Sequence, residues 1–221
     1  MEQIAHEVET APTRELDKQT EENTVLIRTH VGVSLDGFVA TPDGLPAWDT
    51  IPTFGPGSHG YDEVTAQCDA VVMGRTSFDQ GFQDWLTNWP WPDKPVYVLT
   101  SRPLPANASS VGVIASQRGP AGLLEQLRAA GLQRDVQVLG GPRTIQAFLE
   151  LGAIDRLGMV ILPVLLGKGI PLFSIEIATF SRDAWAAQAS PSGTAPRSLL
   201  ALERHRAFPD GAVELVYRKG T

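Results

Sequence analysis

The middle of the sequence alternates short apolar runs with segments of helical spacing, and this alternation constrains the fold more than any other feature. Strands are predicted at residues 25–33, 69–73, 95–100, 111–115, 135–139 and 154–162. Helices are predicted between them, at residues 61–67, 75–82, 120–130 and 145–151. Strands that alternate with helices favour a mostly parallel sheet covered on both faces. We therefore expect an α/β fold with three αβα layers and a central twisted sheet.

The two ends of the chain depart from this alternation. Residues 199–208 and 213–218 alternate apolar and polar side chains about the turn Pro209-Asp210-Gly211, which predicts a C-terminal antiparallel hairpin. Residues 1–23 are rich in Glu, Gln and Thr and have few large apolar groups, so we predict a disordered tail. Residues 24–221 are then one domain, with a flexible excursion expected at 190–197.

Composition and charge exclude several classes of protein. The chain has 221 residues, 43% of them hydrophobic, which is enough for one sizeable core. A net charge of -7 argues against a nucleic-acid binder. Cys68 is the only cysteine, and the His and Cys spacing does not resemble a zinc site, so no metal is expected. The absence of a signal peptide and of a long apolar run predicts a cytoplasmic protein without a membrane partner.

Phosphate-binding features recur at the ends of three predicted strands. Gly140-Gly141 follows one strand and opens a helix, Gly74-Arg75-Thr76 has the same position after another, and Thr100-Ser101-Arg102 ends a third. Helix N-termini at such strand ends attract anions, and glycines let a diphosphate approach the backbone. Tight turns without a ligand and solvated arginines are the alternative. The repetition, which collects Arg75, Arg102 and Arg143 in an acidic chain, favours the phosphate site.

Five motifs occur in an order that resembles a known family. They are Val33-Ser-Leu-Asp-Gly-Phe-Val-Ala40, Val72-Met-Gly-Arg-Thr-Ser77, Val98-Leu-Thr-Ser-Arg102, Leu139-Gly-Gly-Pro142 and Pro163-Val-Leu-Leu-Gly-Lys-Gly-Ile-Pro-Leu-Phe173. The ordered set resembles the dihydrofolate reductase-like superfamily, and most closely the reductase (RibD C-terminal) domain of riboflavin biosynthesis. The resemblance spans residues 25–218 and implies an NADPH-dependent reductase.

The resemblance also implies which residues hold the cofactor. Gly74, Arg75 and Thr76 would hold the cofactor phosphates, and Ser101 and Arg102 would meet the adenosine 2′-phosphate. Thr100, directly before them, is a further cofactor-binding candidate. The remaining implied contacts are Gly140, Gly141, Arg143 and Thr144 at the diphosphate and Ala40 at the nicotinamide carboxamide. A guanidinium beside the 2′ position favours NADPH over NADH.

Asp36, with Ser34 beside it, is the candidate catalytic residue at the end of the first strand. It would either donate a proton or accept a hydrogen bond that orients the substrate; the alternative is a turn former that caps its own loop. A proton donor at neutral pH requires a pKa well above the ordinary value of about 3.9.

The substrate implied by the resemblance is a small molecule, a ribosylamino-pyrimidine phosphate whose ribose is reduced. Lys168, between Gly167 and Gly169, would contact its phosphate, and a solvated loop lysine is the alternative. Leu35 and Trp48 are further candidates to bind the substrate, and Trp48 lies in the long Gly- and Pro-rich loop 41–60. The zinc signature of a deaminase partner domain is not found in the sequence, so only the reductase half of such a pathway enzyme is expected.

Two other functions stay open. A folate reductase would need a carboxylate near Ser58, whereas Asp62 and Glu63 lie one turn further along; this departure weakens the folate interpretation. An NADPH-binding protein without turnover is the other alternative. Edge strands of the hairpin also suggest a homodimer.

Several aromatic residues outside these motifs have a structural interpretation and a functional one. Trp85, Trp89 and Trp91 are expected to pack against the sheet edge, in preference to forming a lid or an interface. His30 is expected in the core or sheet, and His59 is a candidate to face the substrate.

Overall fold

The structure is a computed structural model that describes residues 25–51, 57–173 and 200–219. The predicted tail at 1–23 and the predicted excursion at 190–197 lie outside the described residues.

An eight-stranded sheet forms the centre of the molecule, in the order β5-β4-β3-β6-β1-β7-β10-β9. The six strands from β5 to β7 run parallel, and β10 and β9 are antiparallel to their neighbours. The strands of this sheet are β1 Ile27–Ser34, β3 Cys68–Gly74, β4 Val96–Leu99, β5 Val113–Ser116, β6 Asp135–Gly140, β7 Arg156–Leu162, β9 Leu200–Ala207 and β10 Val213–Lys219. The predicted mostly parallel sheet with a C-terminal hairpin is confirmed.

Helices cover both faces of this sheet. They are α1 Tyr61–Ala66, α2 Arg75–Trp85, α3 Gly119–Ala129 and α4 Pro142–Glu150. α3 and α4 pack Leu123, Ile145 and Phe148 against the residues of β1, β3 and β6 that point to that face. Each such buried side chain contributes about 1.5–3 kcal/mol through the area that it removes from water. The apolar stripe spaced for a helix is therefore what attaches each helix to the sheet.

The opposite face carries α2 and the tryptophan cluster. Phe78 and Phe82 of α2 pack on β3 and β4, together with Trp91, which is 2% exposed. The ring of Trp91 lies 5.3 Å from that of Trp85 and 5.4 Å from that of Trp89, edge to face in both cases. The prediction that these tryptophans pack against the sheet is confirmed.

The same face becomes polar between α1 and the C-terminal hairpin. His30 is buried there, and the imidazole Nε2 lies 2.9 Å from the carbonyl oxygen of His59. Burial lowers the pKa of His30 below its usual value of 6.5. Glu214 of β10 has no exposed surface and pairs with the guanidinium groups of Arg204 and Arg206. His30 is thus a core residue, as expected.

A second, two-stranded sheet was not predicted. It joins β2 Phe38–Ala40 to β8 Ile170–Pro171 in antiparallel pairing. Elements of two or three residues carry too little periodicity for sequence patterns to reveal them. This small sheet ties the loop after β1 to the segment after β7, at the carboxyl end of the parallel strands.

Candidate functional site

Three helices begin at the carboxyl ends of parallel strands, and their N-termini are all suited to anions. β3, β5 and β6 lead into α2, α3 and α4. None of these helices has an acidic residue in its first turn or a side chain that caps its first N–H groups. In contrast, α1 has Asp62 and Glu63 in its first turn. Unpaired N–H groups and the helix dipole therefore favour a negatively charged ligand beside α2, α3 and α4.

The N-termini of α2 and α4 approach each other closely. A Cβ at Gly74 would lie 2.5 Å from Thr144 Oγ1, and a Cβ at Gly141 would lie 2.9 Å from Ser77 Oγ. Both glycines cap their helices in extended conformations that other residues can adopt, so the reason for glycine is space. Ser77 was not among the predicted residues, although it follows Thr76 in the same first turn.

A cleft of about 340 Å³ opens beside these helices. It brings together four predicted cofactor residues, namely Thr100, Ser101, Arg143 and Thr144. It also contains residues that sequence reasoning missed: Leu99, Ser116, Gln117, Gly119, Pro120 and Ala147. The signal that could have found most of them is the Gly-Pro step that opens α3 directly after β5, since it repeats the strand-to-helix pattern of β6 and α4. Hydroxyls, one guanidinium and apolar carbons in one groove suit a nucleoside with phosphates.

Two predicted cations lie outside the lining of this cleft. Arg75 donates to the carbonyl oxygen of Pro103 at 2.8 Å, and its Nε lies 2.6 Å from Asp79 Oδ1. Arg102 is largely exposed, and its guanidinium lies 3.2 Å from the other oxygen of Asp79. The predicted phosphate ligands Arg75 and Arg102 therefore share one carboxylate partner in this structure. Thr76 is exposed in the first turn of α2.

Asp36 joins two loops at the end of β1. Its carboxylate accepts hydrogen bonds from Ser34 Oγ at 2.6 Å, from the Gly167 N–H at 2.7 Å and from the Leu166 N–H at 3.2 Å. Ser34 Oγ in turn accepts the N–H of Phe38 at 2.9 Å. These contacts make Asp36 a hydrogen-bond acceptor at the junction of segments 130 residues apart in the sequence.

The pKa of Asp36 bears on the two roles considered for it. The hydrogen bond from Ser34 is the largest cause that lowers this pKa below its usual value of 3.8, and the backbone donors Gly167 and Leu166 lower it further. A general acid at neutral pH needs the opposite shift. The lowered pKa and the hydrogen bonds from Ser34, Leu166 and Gly167 fit the second of the two roles considered for Asp36, a hydrogen-bond acceptor that orients its surroundings.

The remaining predicted residues lie around this junction. Ala40 is buried in β2, and a side chain at Gly169 would collide with the carbonyl oxygen of Ala40, so the two segments are in close contact. Leu35 and Lys168 are exposed on either side. The indole of Trp48 lies over β1, where a Cβ at Gly32 would be 3.1 Å from Trp48 Cε3.

An apolar cluster continues from Trp48 toward the hairpin. It consists of Ala47, Val160, Leu162 and Ala212, with Trp48, Ile51, Val164, Leu166 and Phe208 packed against it. We call it the β7-end cluster. Ser34 pairs with Leu162, so this cluster begins directly beside Ser34 and lies on the side of β1 away from the cleft.

The described residues contain neither a candidate metal site nor a helix that could span a membrane. Within residues 25–51, 57–173 and 200–219, no group of three or more His, Cys, Asp and Glu side chains is arranged to hold a metal ion. No helix among those residues has the length and apolar composition needed to cross a lipid bilayer.

Sequence comparison identifies the family of this chain. The family model for the RibD C-terminal domain matches residues 25–179. A relative, the uncharacterized protein YwjB of Bacillus subtilis (strain 168), is 32% identical over 155 residues, which cover 69% of this chain and 83% of YwjB.

Comparison with solved structures identifies the fold. A putative riboflavin biosynthesis protein from Shewanella sp. PV-4 superposes with a TM-score of 0.69 at 22% identity, covering 89% of this chain and all of that one. A dihydrofolate reductase from Enterococcus faecalis, solved with NADP(H), superposes with a TM-score of 0.56 at 14% identity, covering 89% of this chain and 97% of that one. The sheet and its helices are therefore of the dihydrofolate reductase-like type.

Proposed function

Because the chain belongs to the RibD C-terminal domain family, we propose that it is a reductase that uses NADPH to reduce a ribosylamino-pyrimidine phosphate. One observation carries the cofactor proposal. The N-termini of α3 and α4, which have no acidic residues or side-chain caps, line a single cleft that contains Arg143 and several hydroxyls, and the N-terminus of α2 adjoins that of α4. An anionic dinucleotide satisfies the free N–H groups of these helices.

Each part of the site has a separate task in this proposal. The first turns of α2 and α4, whose close approach Gly74 and Gly141 permit, hold the diphosphate. Thr100, Ser101, Ser116 and Gln117 hold the adenosine portion in the cleft. When bound, NADPH supplies the hydride, and this chain supplies the orientation and the proton.

The reduction site lies beside Ser34 in this proposal. Asp36 remains ionised and holds the Leu166 and Gly167 backbone against β1. These hydrogen bonds fix the position of the backbone that lines the site of nicotinamide and substrate. Trp48, Val164 and Leu166, the partly exposed side chains packed against the β7-end cluster, offer an apolar surface for the pyrimidine ring, and the exposed Lys168 attracts the substrate phosphate. The acceptor carbon is C1 of the ring-opened ribose, which as an imine takes the hydride at carbon and a proton at nitrogen.

NADPH titration with a matched pair of variants tests the cofactor site. Arg143→Gln removes the cation of the cleft, and Arg128→Gln removes an exposed cation in the last turn of α3, away from the cleft. We expect Arg143→Gln to raise the Kd for NADPH about fivefold to tenfold, as for a partly exposed charge-assisted contact. Arg128→Gln should leave the Kd within about twofold, because exposed charges away from a ligand contribute little.

A substrate panel tests the reaction itself. NADPH oxidation is followed with 5-amino-6-(5-phosphoribosylamino)uracil and with dihydrofolate. Turnover of the pyrimidine phosphate supports the proposal. Turnover of dihydrofolate alone would show that a folate, and not the pyrimidine phosphate, is the substrate. Lack of saturable NADPH binding at sub-millimolar concentration would overturn the proposal as a whole.

A further inference from the structure

Ser58, His59 and Asp210 form a hydrogen-bonded chain that the proposed function has not used. Ser58 Oγ lies 2.7 Å from His59 Nδ1, and His59 Nε2 lies 2.8 Å from Asp210 Oδ2. Asp210 belongs to the turn between β9 and β10, 151 residues further along the sequence. In such an arrangement the proton moves between the hydroxyl and the imidazole, while the carboxylate holds the imidazole in place.

The conformation of His59 is costly and is held by several contacts. His59 has a φ of 55°, in the left-handed region that residues other than glycine rarely adopt. Such a conformation costs about 1–3 kcal/mol and persists where the surroundings over-determine it. The His59 carbonyl oxygen accepts a hydrogen bond from His30. The imidazole ring of His59 lies 4.5 Å from the ring of Phe208. The imidazole side chain is 7% exposed and the Asp210 side chain 18%.

The hydrogen-bonded residues Ser58, His59 and Asp210 lie at the end of the site where we place the substrate. Phe208, which contacts His59, packs on the β7-end cluster together with Trp48. β10 begins at Val213, which pairs with Ile161, and the next residue of β7, Leu162, pairs with Ser34. The turn that carries Asp210 is thus at the carboxyl end of β1 and β7, on the side of β1 away from the dinucleotide cleft.

We propose that Ser58, His59 and Asp210 form a proton relay that serves the substrate of the reductase. The inference rests on the proposed function. Asp210 accepts the Nε2–H of His59 and holds the ring in place, and the Nδ1 proton of His59 passes to Ser58 Oγ while the hydroxyl proton of Ser58 passes to the imine nitrogen. The substrate gains one hydride at carbon and one proton at nitrogen, and His59 is reprotonated from water. The relay supplies the general acid that the ionised Asp36 does not.

The competing role for these residues is purely structural, because a His59–Asp210 contact would also fasten the loop before α1 to the hairpin. His59→Asn separates the two roles. Asparagine tolerates positive φ, and its amide lies where His59 Nδ1 lay and can still bond Ser58, but it cannot carry a proton between two atoms. The shorter side chain does not reach Asp210, and the structural effect of losing that contact is read from the melting temperature. Ser58→Ala removes the hydroxyl and Ser58→Thr keeps it. Glu63→Gln is the control, since it removes an exposed carboxylate of α1 that bonds Arg206.

The first arm of the test needs no cofactor. Phenylmethanesulfonyl fluoride is added to the full chain, and labelled Ser58 is quantified by peptide mass spectrometry. A hydroxyl bonded to an imidazole base reacts faster than a free one, so Ser58 labelling should fall at least about tenfold in His59→Asn. Glu63→Gln should label at the wild-type rate. Equal labelling in wild type and His59→Asn would overturn the relay.

The second arm measures turnover, NADPH binding and thermal unfolding of the same variants with 5-amino-6-(5-phosphoribosylamino)uracil. His59→Asn and Ser58→Ala should keep the wild-type Kd for NADPH within about twofold and lower kcat about 10²- to 10⁴-fold, the range for loss of a general acid. Ser58→Thr should restore at least a tenth of the wild-type kcat.

The outcomes of the two arms separate the two proposals. Activity lost only in parallel with the melting temperature, or kept in His59→Asn, would assign a structural role and overturn the relay. If the wild-type chain binds no NADPH, or binds it but oxidises it with neither candidate substrate, the proposed function itself is refuted. The relay is then refuted with it. Normal wild-type turnover with unaffected variants refutes only the relay.

Discussion

Substitution of Gly74 by alanine tests whether the contact between α2 and α4 builds the phosphate site. The added Cβ would lie 2.5 Å from Thr144 Oγ1. Ordinary van der Waals contact requires roughly 3.5 Å, so the two helix N-termini must separate by about 1 Å. Thr144 is only 8% exposed, which leaves its side chain little room to rotate away.

The separation has a cost in cofactor affinity and a smaller cost in stability. A displacement of about 1 Å breaks a hydrogen bond between a helix N–H and a phosphate, and a bond to a charged group is worth about 1.5–3 kcal/mol. The Kd for NADPH should rise about 10- to 150-fold, and overpacking should lower the free energy of unfolding by about 1–3 kcal/mol. NADPH fluorescence titration and chemical denaturation measure the two effects.

A double variant identifies the clash as the cause. Thr144→Ala alone removes one neutral hydroxyl, which contributes about 0.5–1.5 kcal/mol. Because that change also removes the atom that the new methyl group at position 74 would strike, the Kd of Gly74→Ala/Thr144→Ala should be close to that of Thr144→Ala alone. Additive losses in the double variant would refute the reasoning, since additivity is expected only of sites that do not touch.

Three further changes have expected outcomes of their own. Asp36→Asn removes a carboxylate whose pKa is lowered in the folded chain. The variant should therefore melt below wild type by a constant amount above the ordinary pKa of 3.8, and this difference should shrink to zero as the pH falls through the lower folded pKa. Thermal melts followed by circular dichroism over a pH series measure the difference, and a difference that grows on acidification would contradict the reasoning. Asp79→Asn removes the carboxylate that pairs with the exposed Arg102 and leaves that guanidinium available to the 2′-phosphate. The affinity for NADPH relative to NADH should rise by about twofold to fivefold, as for an exposed charge, whereas Asp84→Asn on the same helix should leave the Kd ratio unchanged in paired titrations. Trp91→Ala removes a side chain that is 2% exposed and should lower the free energy of unfolding by about 3–5 kcal/mol in guanidinium denaturation, while Leu165→Ala, at a side chain 69% exposed, should change it by less than about 0.5 kcal/mol.

The parallel core of the fold was predictable because each of its elements carries its own periodic signal. The run before Gly74 and the run before Gly140 are apolar and bounded by glycine, so their strand character and their ends follow from local chemistry. The order of strands in the sheet depends on which helix covers which neighbour, and sequence patterns do not contain it.

The site was predictable where strand ends determine position and unpredictable where side chains choose partners. Thr100, Arg143 and Thr144 meet in one cleft because their strands end at the same edge. Arg75 could have been paired with Asp79 from their spacing of four residues on a helix. The acceptor role of Asp36 depends on backbone donors 130 residues away, and Asp210 reaches His59 across 151 residues, so neither contact has a local signal.

The position of the C-terminal hairpin has a consequence for the order of synthesis and folding. β1 to β7 and the helices that line the cleft all precede residue 163 in the chain, whereas β10, which completes the sheet beyond β7, begins only at residue 213. During translation the parallel part of the sheet can therefore assemble first, from contacts that are already present on the emerging chain. Phe208 and Asp210 arrive afterwards, so a nascent chain acquires the cleft before it acquires the partner of His59.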